Sequence, residues 1–228
     1  MKGLLLKDFY NTRKTALILL CFPAVCAVVF FLSHQQDPSE TSDFIMLGIL
    51  MTIAISSIFS VMLLLNSLAF DEQSNYVLYA LTTPVNRNTY LKSKYLYLAL
   101  TDAFYSLISG IVLLILLSVT GMFQISMLAE LLGMMLTFYL FAYLLGTCLI
   151  AVAIKHSAVK AGSVMSMCFV FMGISGAILP KLQITDSAKH FLLSGGLTGI
   201  LAFIMLILLI VSVILFRKTS QWITRKEF

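Results

Sequence analysis

Two carboxylates of this 228-residue chain, Asp102 and Glu130, lie within long apolar stretches. Ionisable groups at membrane depth are costly and therefore count as functional candidates. Tyr105, Ser106 and Ser109 share the helical face of Asp102, so that face points into a bundle rather than at lipid. Asp102 then serves either as an interhelical hydrogen-bonding group or in gating. Glu130 falls near the start of its apolar run, where it suits a helix N-terminus or the outer interface. Asp102, Tyr105, Ser106 and Glu130 are the candidates for a substrate path or gate. The remaining reactive residues point away from catalysis. His34, His156 and His190 are far apart with no H-E-x-x-H arrangement, and no G-x-S-x-G elbow occurs. Cys21, Cys26, Cys148 and Cys168 sit in apolar stretches without metal-ligand spacing. No catalytic residue, metal site or cofactor is expected on this chain, although a two-residue site assembled from distant helices stays open. A phosphate-cradling G-x-x-x-x-G-K-[ST] loop is also missing, so any work against a gradient draws on another subunit or an ion. Dense acidic or basic relays are not seen, which favours a separate motor.

The elements that would position these groups are transmembrane helices. Apolar residues make up 60% of the chain and charged ones 11%, against about 25% charged in soluble domains. Six apolar runs reach roughly the 20 residues a bilayer requires: 15–33, 44–70, 95–120, 127–154, 161–179 and 197–216. The expectation is an all-α polytopic protein with a single transmembrane domain over residues 1–228. If the N-terminus is cytosolic, the inner segments hold Lys2, Lys7, Arg13, Lys14, Arg87, Lys92, Lys94, Lys155, Lys160, Arg217, Lys218, Arg225 and Lys226, while the outer ones hold Lys181 and Lys189. That asymmetry puts both termini inside and assigns the net charge of +5 to topology, not to nucleic acid. Residues 1–14, wound as a helix, put Leu5, Leu6, Phe9 and Tyr10 opposite Lys7, Asp8, Asn11 and Lys14. Such a segment is expected to lie flat in the inner interface with its lysines among lipid headgroups. In the fifth run Gly162, Ser163 and Ser166 would allow close helix approach, and Trp222 would anchor the C-terminal end at the interface.

Between the second and third runs lies a polar island, residues 71–95. Tyr76, Tyr79, Ala80 and Thr83 recur at helical spacing and Pro84 ends the run, which predicts a short amphipathic helix over residues 75–83. So short a helix needs a surface to lie on.

The island and its flanks resemble the permease subunits of ABC-2 type transporters, in particular the small six-span bacterial permeases that pair with a separate ATPase. The likeness is carried by Asp71-Glu72 leaving the second run, by the aromatic in the Asn75-Tyr76 region, and by residues 80–87, ALTTPVNR, which resemble that family's L-P-x-S-R segment. Tyr90 with Ser93-Lys94-Tyr95 opens the third run, and the N-terminal KGLLLKDFY looks like the group's interfacial elbow helix. Thr83 stands where leucine is commoner and Asn86 where serine is usual. The resemblance implies that residues 71–94 form a cytosolic coupling segment whose helix docks in a groove of an ATPase. Asp71, Glu72, Tyr76, Tyr79, Pro84 and Arg87 are the candidate contacts. Tyr76 and Tyr79 would be the anchors; Asp71 and Glu72 either pair with basic residues of the motor or are simply solvated; Arg87 meets a partner carboxylate or a lipid phosphate. ATP and magnesium are expected on the partner. A second permease, identical or different, would complete the path, in a bacterial cytoplasmic membrane. Family members export lipids, polysaccharides, drugs or amphipathic peptides, so an amphipathic peptide or lipid-like substrate is expected. The competing readings are a motor-independent membrane immunity or binding protein and, third, an intramembrane enzyme.

Overall fold

The computed structural model describes residues 2–36, 41–76, 86–119, 125–178 and 197–225, and nearly all of them are helical. The helices are α1 (Lys2–Gln36), α2 (Thr41–Gln73), α3 (Arg87–Val119), α4 (Ile125–Lys155), α5 (Ala158–Ile178) and α6 (Leu197–Arg225), and the described residues contain no strand. Three stretches among the described residues are long and apolar enough to cross a membrane: Thr52–Gln73, Arg87–Ser118 and Leu131–Lys155. The chain divides into two compact units, Met1–Gly146 and Thr147–Phe228.

In the first unit α1, α2 and α3 pack on one another. Their buried faces mix large side chains, among them Leu63, Leu64, Leu91, Tyr97 and Leu98, with many hydroxyls. On α2, Thr52, Ser56, Ser57, Ser60 and Ser67 are buried; on α3, Ser93, Thr101, Ser106 and Ser109 are. Most of these hydroxyls bond back to a carbonyl of their own helix, as Ser56 does to Thr52 at 2.8 Å and Ser93 to Tyr90 at 2.7 Å. Side chains that satisfy themselves locally allow two backbones to come close without leaving a polar group unpaired. A second set of large apolar residues of α3 takes the opposite face: Leu96, Leu100, Phe104, Leu107, Ile111 and Ile115 recur at helical spacing and are exposed. This is the pattern of a helix whose outer surface meets lipid. Farther along, Ile53, Leu113, Leu117, Leu131 and Met135 form an apolar cluster that joins α2, α3 and α4. At Gly146 of α4 an added Cβ would fall on the methyl groups of Leu98, so the α3–α4 approach depends on the absence of a side chain there.

The sequence-based boundaries change in two places. α1 runs without a break through Lys14, so residues 2–14 are its first turns and not a helix set apart from the first span. On the side expected to rest on the interface Leu6, Phe9 and Tyr10 are exposed; on the opposite side Asp8 is buried against protein, Lys7 and Asn11 are partly covered, and Lys14 is exposed. Leu4, Asp8 and Thr12, at successive i, i+4 positions, are buried. The polar island is also shorter than expected, because α2 continues to Gln73 and α3 begins at Arg87. Asn75 has φ 49°, a left-handed conformation that asparagine tolerates and that commonly ends helices. It therefore closes α2, and Tyr76 beyond it is again helical. Asn86 caps α3: its side-chain oxygen accepts the Asn88 N–H at 3.1 Å and its carbonyl the Thr89 N–H at 2.8 Å. Most of the predicted coupling helix, Tyr79 included, lies outside the described residues, as does the Pro84 that follows it.

In the second unit Ser157 caps α5, its hydroxyl accepting the Lys160 N–H at 3.2 Å, so the turn after α4 spans only His156 and Ser157. The Lys155 ammonium lies 5.0 Å from the centre of the half-buried Trp222 ring. That contact gives the indole a protein partner at the end of the chain where an interfacial anchor is expected. Ser163 and Ser166 are exposed and Gly162 has open space at its Cβ position, so these small residues of α5 face away from close packing among the described residues.

Candidate functional site

Where the first turns of α1 meet the end of α2 and the start of α3, four charged side chains converge. Lys94, eight residues into α3, is fully buried, and its ammonium donates to Asp8 of α1 at 2.9 Å, to Asp71 of α2 at 2.6 Å and to Ser67 of α2 at 2.7 Å. A lysine ammonium carries three N–H donors, and all three are engaged. Lys7 of α1 donates to the Oδ1 of Asp71 and lies 3.4 Å from Asp8 Oδ1. The Tyr90 hydroxyl donates to Asp71 Oδ2 at 2.9 Å. Two ammonium groups and two carboxylates sum to zero, which is what makes their burial affordable where a lone charge would be too costly.

The cluster extends along α1 and α3. Thr12 donates to the Asp8 carbonyl at 2.8 Å, which leaves its oxygen to accept from Tyr97 at 2.6 Å. Tyr97 packs edge-on against Phe9 with ring centres 5.1 Å apart, and Tyr105 donates to the Ala16 carbonyl at 2.8 Å. α1 is thus held to α3 by a ladder of hydrogen bonds over two to three turns. One oxygen stands out: Asp8 Oδ2 is buried and has no hydrogen-bond partner among the described residues.

Of the residues expected to meet an ATPase, Asp71 lies inside this cluster, 1% exposed. Its two oxygens serve Lys7, Lys94 and Tyr90, so in this chain it is neither solvated nor presented outward. Glu72, next to it, is exposed. Tyr76 is half-buried, and the Lys7 ammonium sits 3.5 Å from the centre of its ring. Arg87 is half-buried at the first position of α3.

Of the path candidates, Asp102 is fully buried and faces α2, where Ser60 donates to its Oδ1 at 3.0 Å; its Oδ2 has no hydrogen-bond partner among the described residues. Tyr105 and Ser106 are buried on the same side of α3, as their spacing indicates. The Glu130 side chain lies outside the described residues. Nothing brings Asp102 near the Lys94 cluster, since eight residues separate them on α3, about 12 Å. Among the described residues no group of three or more metal-ligating side chains gathers.

Asp8, Lys7 and Lys94 escaped notice as a site because basic residues at the inner ends of spans are ordinarily topological. The signal was present in Leu4, Asp8 and Thr12, one helical face with an acid at its centre, and in the match of two basic with two acidic residues at the inner ends of α1, α2 and α3.

A family model described as an ABC-2 family transporter protein matches residues 3–218, nearly the whole chain. Neither a curated protein nor a solved structure matches it.

Proposed function

This chain belongs to the ABC-2 family of membrane transporter proteins, and we propose that it is the permease subunit of an ATP-driven exporter, with six spans, both termini cytosolic and hydrolysis on a separate ATPase. The observation that carries the reading is the family match over residues 3–218. A chain without a nucleotide-cradling loop needs a motor from elsewhere. Two copies, or this chain with a different one, would enclose the path in a bacterial cytoplasmic membrane. Asp102, Tyr105 and Ser106, with Glu130, remain the candidates to line or gate it, for an amphipathic peptide or lipid-like substrate.

The segment after α2 is the proposed contact with the ATPase. Because Asp71 is committed to Lys7 and Lys94, direct contact passes to Glu72, Tyr76, Tyr79, Pro84 and Arg87, and Asp71 becomes a residue that positions them. ATP-driven closure of the motors would pull on Tyr76 and through it on the α1–α2–α3 group. Replacing Tyr76 and Tyr79 together by alanine is expected to leave membrane insertion intact. The amount of ATPase that co-purifies should fall at least about tenfold, or about 1.4 kcal/mol. Co-purification undiminished by the double change would refute the docking assignment.

A further inference from the structure

The charged cluster is balanced in sum but unevenly used. Lys94 has every donor engaged and touches α1 and α2 from α3, so it fixes the register of three helices at once. Lys7 is at the margin, 21% exposed, on a flexible stem, between two carboxylates. It is bonded to Asp71 and lies against the Tyr76 ring, while the Oδ2 of the neighbouring Asp8 is buried with no hydrogen-bond partner among the described residues. A buried acceptor without a donor is unfavourable, so an arrangement with Lys7 on that oxygen competes with the one observed.

Resting on the permease reading above, we propose that Lys7 is a positioning residue that exchanges between Asp71 with Tyr76 and the unclaimed oxygen of Asp8, so that ATPase docking on Tyr76 is felt by α1. Tyr76 directly follows the left-handed Asn75 that ends α2. When a partner takes the Tyr76 ring, Lys7 loses the electron-rich face that holds it beside Asp71. Its ammonium already lies 3.4 Å from Asp8 Oδ1, so reaching the other oxygen of that carboxylate takes a side-chain rotation and no helix unfolding. No proton moves and the cluster stays neutral. Lys94 and Tyr90 stay on Asp71 Oδ2 while Lys7 is away, and Asp71 Oδ1 is the oxygen left bare, so each arrangement leaves one carboxylate oxygen without Lys7 and the two are closely balanced. The exchange trades the α1–α2 bond of Lys7 for one inside α1, since Lys7 and Asp8 are both α1 residues and Asp71 belongs to α2.

Amide hydrogen exchange over residues 2–16 tests this, in the permease alone and in the complex with the ATPase that co-purifies with it. In the unsubstituted chain, docking should change exchange across these turns. Lys7→Gln should still bind the ATPase yet lose that change, and Lys7→Arg, which keeps the charge, should retain it. A docking-induced change of undiminished size in Lys7→Gln would overturn the proposal, as would no change in the unsubstituted complex. Failure of the unsubstituted chain to recover any ATPase would sink the permease reading itself, and is seen before any exchange is measured.

Discussion

At the scale of single residues, Asp71 shows how a carboxylate at a helix end can be structural even when it borders a docking segment. Its oxygens receive Lys7, Lys94 and Tyr90 within a buried site, so neutralising it strands two ammonium groups on one remaining acid. Asp71→Asn is expected to lower stability by about 3 kcal/mol, the usual cost of removing one member of a buried ion pair. Thermal unfolding in detergent would check it, and an unchanged midpoint would mean that the lysines find other acceptors. Tyr97→Phe is a milder probe. It removes the bond to Thr12 while leaving the ring on Phe9, and should cost about 1 kcal/mol by the same measurement. Neither Asp71 nor Asp8 was legible as buried, because a sequence read with soluble-protein habits sends acids outward. Asp102 was legible, since its hydroxyl-bearing neighbours on one face left it nowhere to point but inward.

Among the elements, the caps set where the long helices stop. Asn75 and Asn86 put the ends of α2 and α3 inside the polar island, while the helix predicted from Pro84 and the tyrosine spacing lies mostly outside the described residues. The family resemblance treated Asn86 as a departure from serine; physically the two are equivalent, because either side chain can accept the N–H groups that open α3. Asn86→Ser should therefore be neutral, and Asn86→Ala should cost about 1 kcal/mol in the same unfolding measurement. Gly146 sets the distance between α3 and α4. Gly146→Ala forces Leu98 to move and should destabilise by about 1–3 kcal/mol, and a compensating Leu98→Ala in the same chain should recover part of that loss. Helix identity itself was readable from apolar length alone. The junction of α1 with its interfacial turns was not, since an amphipathic face cannot say whether its polar side meets water or another helix.

For the whole molecule, the solvent relaxes the usual rule of burial. Hydroxyls and charges gather between α1, α2 and α3 beside buried leucines such as Leu64, Leu91 and Leu98, while Leu100, Leu107, Ile111 and Ile115 turn outward, so the apolar spans are visible in composition and the internal polar joint only in three dimensions. That joint has a bearing on how the protein is made. Asp8 and Lys7 emerge from the ribosome first and balance each other, Asp71 comes next and Lys94 last, so one acid waits uncompensated from the synthesis of α2 until the third helix is in place. A nascent chain truncated after α2 would leave the two acids of the joint to one lysine, a defect that quality-control proteases can sense. It should be degraded faster than a chain extended through Val119, a difference that pulse-chase labelling in cells would reveal.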